Sequence, residues 1–363
     1  MEKLKALWTG EWDPVGYEEF SKYFDVTCAG SQAAAGGTGG PNAVALEMGD
    51  EEGLIKLLQD KDVYICGYEK VTENVIKSCP NLKLLLSVRD GAEENVDVKA
   101  AEAAGLPVFT SAGRCRISVA ELTFALMLLM ARPIVRMTNY IHENGWTKEN
   151  GREVRALYND FSTELFGKTV GIIGIGRNGY QLAQFCKPFN MNIITYDPYC
   201  NKEAMAAEGI TVVDLPTLMS TADYVIVLAR LTPETEGMVS REMIGLMKPN
   251  AVLINTGRGK LIDNDALMDA LEQDKIKGAC LDAHVTEPIG PDSRELKIAP
   301  EKLIITPHMA GKTAERNWHQ YQLLLEQFRK FIAGEPVRMI YTPKAPEAEG
   351  WNARGGKLIE LFK

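Results

Sequence analysis

The chain has 363 residues, more than one hydrophobic core ordinarily serves, so two domains are expected. Its 40 basic and 49 acidic residues leave a net charge of −9, with no excess of cations to neutralise phosphates, so neither nucleic acid nor an anionic membrane surface is expected as a partner. The 7 cysteines form no Cys-x-x-Cys pair, and the amino terminus, MEKLKALWTGEW, has no apolar run long enough for a signal peptide; a reduced, cytoplasmic protein without a metal site is expected.

Along the first hundred residues, short apolar runs at 4–8, 25–28, 63–66, 84–88 and 107–110 read as buried strands, with amphipathic helices such as Glu51–Leu58 between them. Strands alternating with helices predict a parallel, doubly wound sheet. The run AAAGGTGGP at 33–41 reads as a Gly-rich surface loop. A long helix is expected from Ser118, where Ser118 and Glu121 have the spacing of a capping box, and it should kink at Pro133. Its most apolar part, residues 122–130, is about half of the roughly 20 residues that span a bilayer. The polar stretch 144–163 then looks like an irregular crossing from one domain to the next.

A second alternating series follows, with strands expected at 169–173, 192–196, 224–228, 251–255, 278–281 and 303–306. Asp263 is placed to cap the helix after the fourth of these, and a long helix at about 313–333 precedes a polar tail.

TVGIIGIGRNGYQLAQF places Gly174-x-Gly176-x-x-Gly179 between a strand and a helix. The first glycine makes the tight turn, the second admits a pyrophosphate against the backbone, and the third lets the helix pack on the strand. Amides at the helix start, around Arg177 and Asn178, face the phosphates. The next strand ends in Asp197, where a carboxylate would accept hydrogen bonds from the adenosine ribose and repel a 2′-phosphate. The expected cofactor is NAD, not NADP.

Reduction of a keto acid beside a nicotinamide requires a cation for the carboxylate and a general acid for the carbonyl oxygen. Of the 4 histidines, His142 and His319 fall in long helices, whereas His284 and His308 each follow a C-terminal strand end, where open α/β sheets bind ligands. Spacing alone does not choose between those two.

NTGRGKLIDNDAL (255–267), GACLDAHVTEP (278–288) and ITPHMAGKT (305–313) resemble the three catalytic motifs of the D-isomer-specific 2-hydroxyacid dehydrogenases. LKLLLSVRDGAEENVDVKAAEAAGLPV, SVAELTFALMLL and LFGKTVGIIGIGRNG match upstream, so the resemblance covers most of residues 60–340, closest to the phosphoglycerate dehydrogenase-like subgroup. It implies two doubly wound parallel-sheet domains: a Rossmann NAD-binding domain at 114–312, inserted into a flavodoxin-like substrate domain made of 1–113 and 313–363. It also implies a homodimer acting on a small 2-keto or D-2-hydroxy acid.

Carried over by position, the resemblance assigns Arg258 to the substrate carboxylate, His308 to acid–base catalysis and Glu287 to the partner of His308. It assigns Thr256 and Asp282 to the cofactor, Asp282 at the nicotinamide carboxamide. The turn 88–91, with Arg89, Asp90 and Gly91, holds the substrate carboxylate. A planar guanidinium suits a carboxylate, and a glutamate beside a histidine favours the protonated ring.

The same motifs also occur in corepressors of this family, so a non-catalytic NAD-sensing protein is the alternative. Departures lie around the substrate: RDGAEEN replaces the commoner glycine-rich turn, Leu228 replaces a histidine, and His284 stands at a position usually aromatic. Cys66 replaces an arginine used by phosphate-binding relatives, and residues 66–70 and 90–94 are expected to face the substrate side chain. One carboxylate and a small or polar side chain, without a phosphate, are expected.

Overall fold

A computed structural model describes residues 3–10, 12–30, 43–335 and 337. The Gly-rich run at 33–41 and the polar tail lie outside the described residues. The chain divides into two compact units, Met1–Arg114 with Thr313–Lys363 (unit 1) and Cys115–Lys312 (unit 2).

Unit 1 carries a fully parallel sheet of β1 (Leu4–Thr9), β2 (Phe24–Gly30), β3 (Val44–Ala45), β4 (Val63–Cys66), β5 (Leu84–Ser87) and β6 (Val108–Thr110), in the order β3-β2-β1-β4-β5-β6. Without the two-residue edge strand β3, the order is that of a flavodoxin-like sheet. Its inner strands are continuous runs of buried residues because helices cover both faces. One face is aromatic: Trp8, Phe20, Phe24 and Phe109 pack with Tyr321, Phe328 and Phe331 of the closing helix Ala314–Ile332. The other is aliphatic, built on Leu7, Leu54, Leu58, Ile76 and Leu85.

Unit 2 holds β7 (Thr169–Ile173), β8 (Asn192–Tyr196), β9 (Ile210–Val212), β10 (Tyr224–Val227), β11 (Val252–Asn255), β12 (Gly278–Leu281) and β13 (Leu303–Ile305), in the order β13-β12-β11-β10-β7-β8-β9, again all parallel. The order reverses between β10 and β7, which opens a crevice at their carboxyl ends.

Three expectations change. The helix of unit 2 begins at Arg116, two residues before Ser118; the Ser118 hydroxyl donates to the Cys115 carbonyl and no side chain caps the end, so there is no capping box. At Pro133 the helix breaks instead of kinking: Arg116–Ala131 and Ile134–Asn144 meet at 59°. The stretch 144–163 is no irregular crossing between domains: it lies within unit 2 and contains the helix Gly151–Phe161. The apolar helix Arg116–Ala131 is taken into the core through Leu126, Met127 and Met130, and no single helix among the described residues is long and apolar enough to cross a membrane.

Candidate active site

The expected site residues of unit 2 all follow strand ends on one edge of its sheet. Gly174 follows β7, Asp197 follows β8, Thr256 and Arg258 follow β11, Asp282 and Glu287 follow β12, and His308 follows β13. Gly174 has φ of 84°, and a Cβ on it would stand 2.6 Å from Ala229 Cα, so no larger residue fits the turn. A Cβ on Gly179 would lie 2.7 Å from the Gly174 carbonyl oxygen, whereas one on Gly176 would meet nothing within 4 Å. The middle glycine therefore borders open space.

The helix Arg177–Cys186 has no side-chain cap, although four other helices of the unit are capped by Asn201, Asp214, Ser240 and Asp263. The positive end of its dipole is therefore uncapped by any side chain, as an anion site at a helix start requires. Asp197 is tied to this turn: its carboxylate accepts the amides of Ile175 (3.1 Å) and Tyr199 (2.9 Å). Each oxygen retains a lone pair for a ribose hydroxyl. These residues fit a dinucleotide.

Thr256 is buried and its hydroxyl pairs with that of Thr123 at 2.7 Å, so its side chain serves the interior of the unit. Arg258 is exposed on a turn held by Asn255, a buried residue that sequence reasoning missed. The Asn255 side chain donates to the Arg258 carbonyl (3.0 Å) and accepts the Gly257 amide (3.0 Å). Buried amides that bond both sides of a turn give no pattern in one dimension.

Glu287 and His308 meet at 2.7 Å through Oε2 and Nδ1, with side chains 37% and 41% exposed. The other carboxylate oxygen, Oε1, accepts the His284 amide at 2.9 Å. Burial pushes the Glu287 carboxyl up, but the amide of His284 and the ring of His308 outweigh it, and the net shift is below the ordinary carboxylate range. His308 Nε2 is without a partner among the described residues and is open to a ligand. The residue sits at φ of 49°, an uncommon conformation for a side-chain-bearing residue, and its amide donates to the Asp282 and Thr306 carbonyls.

Asp282 has no exposed surface; its carboxylate accepts the Thr306 hydroxyl (2.6 Å) and the amides of Met309 (2.9 Å) and Ala310 (3.0 Å). Asp282 thus holds the loop that presents His308. His284 is likewise buried and engaged at both ring nitrogens, so the geometry leaves only His308 of the two candidate histidines with a free ring nitrogen.

In unit 1, the turn after β5 offers less than expected. The Val88 amide is bonded to the Cys66 carbonyl and the Arg89 amide to the Ser87 hydroxyl, which leaves the amides of Asp90 and Gly91 as donors. The Arg89 guanidinium is occupied by Glu94 at 2.5 Å and lies over the Tyr68 ring. The Asp90 carboxylate accepts the Gly113 amide at 2.9 Å. Cys66 is fully buried, its thiol pushed up to about 12 by burial, so it cannot face a substrate.

Residues 124–310 match the family model for the NAD binding domain of D-isomer specific 2-hydroxyacid dehydrogenases. The chain belongs to that family. A D-3-phosphoglycerate dehydrogenase of Methanocaldococcus jannaschii is 36% identical over 82% of this chain and 55% of its own length. A hydroxypyruvate reductase of Thermotoga maritima is 34% identical over 75% of this chain and 85% of that protein. A D-lactate dehydrogenase of Aquifex aeolicus, solved with NAD and lactic acid, matches with a TM-score of 0.65 at 25% identity, covering 91% of this chain and 96% of that one. The chain spans about half the length of the first-named relative. Unit 2, which contains residues 124–310, is thus the NAD-binding domain of a 2-hydroxyacid dehydrogenase family member.

Proposed function

We propose that this chain interconverts a small 2-keto acid and its D-2-hydroxy acid with NAD. The observation that carries this reading is the half-exposed His308–Glu287 pair at 2.7 Å, with the far ring nitrogen free. The nicotinamide, when bound, supplies or accepts the hydride at the substrate C2. Gly174–Gly179, the first-turn amides of Arg177 and Asn178, and Asp197 hold the dinucleotide, and the Asp197 carboxylate selects NAD against a 2′-phosphate.

Arg258 binds the substrate carboxylate through its planar fork and draws charge from the adjacent carbonyl. Glu287 accepts the Nδ1 proton of His308, which fixes the orientation and tautomer of the ring. Nε2 then donates a proton to the carbonyl oxygen as the alcohol forms, and removes it again in oxidation. In unit 1, the amides of Asp90 and Gly91 are the donors assigned to substrate oxygens.

A side chain without a phosphate is favoured because Arg89 is already paired with Glu94, and Lys70 donates to the Glu94 carbonyl at 2.7 Å. Little free positive charge is left on that turn. We also assign the cytoplasm, on seven free cysteines of which five are buried, and a homodimer, on the exposed Ile134, Ile141 and Trp146. Light scattering of the purified protein checks the dimer.

The test of the function is a panel of pyruvate, glyoxylate, hydroxypyruvate and phosphohydroxypyruvate with NADH, following loss of cofactor absorbance. Turnover of a non-phosphorylated 2-keto acid supports the reading. The highest kcat/KM on the phosphorylated compound overturns the substrate assignment, and NADH affinity without turnover of any member favours an NAD-sensing protein.

A further inference from the structure

A second histidine–glutamate pair lies behind the first and has no part in the chemistry above. His284 Nδ1 and Glu295 Oε2 are 3.0 Å apart, and their side chains are only 3% and 4% exposed. The other ring nitrogen, Nε2, is 3.1 Å from the Thr306 carbonyl oxygen. A carbonyl only accepts, so Nε2 carries a proton. One further proton lies between Nδ1 and Oε2, and the pair is neutral overall whichever atom holds it. The hydrogen bond to Glu295 raises the pKa of His284, burial opposes it, and the Thr306 carbonyl adds to the rise. Glu295 and, more weakly, Glu287 are the charged groups that act on the ring.

Two apolar side chains would serve a buried position at least as well as this pair, so stability alone is a poor account of it. Its contacts supply another. The Thr306 carbonyl that meets the His284 ring also receives the His308 amide, at 3.0 Å. The His284 amide holds Glu287 Oε1, and the opposite oxygen of that carboxylate holds the His308 ring. The turn behind Arg258 packs on the same backbone: a Cβ on Gly259 would stand 2.0 Å from the His284 carbonyl carbon.

We propose that His284, braced by Glu295, is a positioning residue for the acid–base pair. Its main chain sets Glu287, and its ring sets the loop that carries His308. A histidine held at positive φ requires surrounding contacts to keep it there, and the ring bond to Thr306 is one of them. The inference rests on the reading of His308 as the proton donor and acceptor.

The decisive variant is His284→Phe/Glu295→Leu, which removes both polar groups and leaves neither a buried lone charge nor a large void. With NADH affinity as in the parent, kcat on the preferred keto acid of the panel should fall about tenfold or more, as expected of misplaced reacting groups. The carbon-bound protons of the His308 ring, followed by NMR, should move from their parental shifts as the ring leaves its place against Glu287. Glu295→Gln can still bond Nδ1 with a neutral ring and should restore most of the rate.

Parental kcat and parental His308 ring shifts in the folded double variant would overturn the proposal, as would a Glu295→Gln enzyme as slow as the double variant. Should the double variant not fold, nitrogen shifts of the parent decide: His284 must carry its proton on Nε2 across the pH range in which the enzyme turns over, and its loss overturns the proposal. The NMR readout needs no turnover, so a failure of the catalytic reading shows separately, as a parent that reduces none of the keto acids.

Discussion

The two units share one plan, and the turn after the first strand sets them apart. Each has a parallel sheet in which the first strand lies inside, beside the point where strand order reverses. Beyond β1 the helix Pro14–Ser21 is capped by Asp13, whose carboxylate accepts the Gly16 amide at 2.5 Å. A Cβ on Gly16 would meet the Tyr321 ring at 3.0 Å. Beyond β7 the helix Arg177–Cys186 has no cap, and a Cβ on Gly176 would meet nothing. In unit 1 the positive helix end is filled by the protein's own carboxylate; in unit 2 it is left for a foreign anion. Topology makes a crevice in both sheets, and only in the second is the helix after the first strand left uncapped.

If the reacting proton is also handled in unit 2, His308→Ala should fold, bind NADH as the parent does and lose roughly 10²–10⁴-fold in kcat, the usual worth of a positioned acid. Unchanged turnover in steady-state assays would remove His308 from the mechanism. The comparison of the turns is broken most directly by Gly174→Val. That change forces a β-branched residue to positive φ and into the Ala229 backbone, so NADH binding by calorimetry should be lost, with about 1–3 kcal/mol of stability.

A smaller effect is expected at Asp197. Asp197→Ser removes a like charge from the expected 2′-phosphate site, and the kcat/KM ratio of NADPH to NADH should rise about tenfold, for a repulsion of roughly 1–4 kcal/mol at contact distance. An unchanged ratio means that Asp197 points elsewhere in the complex. Asp13→Ala is the counterpart in unit 1: it should cost about 0.5–2 kcal/mol in denaturant unfolding and leave NADH affinity alone. A change in NADH affinity there would end the distinction between the two helix starts.

The smallest effect is a pH dependence. The His284 pKa is raised in the folded state, chiefly by Glu295, so the stability it contributes is full below the unfolded value of about 6.5 and is lost as pH rises through the folded value. Tm should therefore fall more steeply above about pH 6.5 in the parent than in His284→Phe/Glu295→Leu. Equal slopes in thermal melts would mean that His284 does not titrate in this window.

Much of this protein could be read in one dimension. Every strand of four or more residues stood out as an apolar run, because a parallel strand covered on both faces must be apolar throughout. The glycine turn was legible because Gly174 and Gly179 answer local steric demands, and so was the Asp263 cap, which accepts the Ala266 amide three residues on. The strands β3 and β9 at opposite sheet edges escaped, since their exposed positions make no apolar run. The Ser118 box failed because the same spacing also occurs within a helix, and only the backbone shows where the first turn begins.

The sequence by itself determined two doubly wound sheets, a strand–glycine turn–helix element in the second and the family, since these rest on local patterns and on motifs in order. Only the tertiary structure decided which histidine has a free ring nitrogen. His284 and His308 both follow strand ends and both meet a glutamate. Glu295 and Thr306 enclose the first, whereas Glu287 holds the second by one nitrogen at the surface. Those partners come from separate segments of chain, and a contact made by packing leaves no spacing to read.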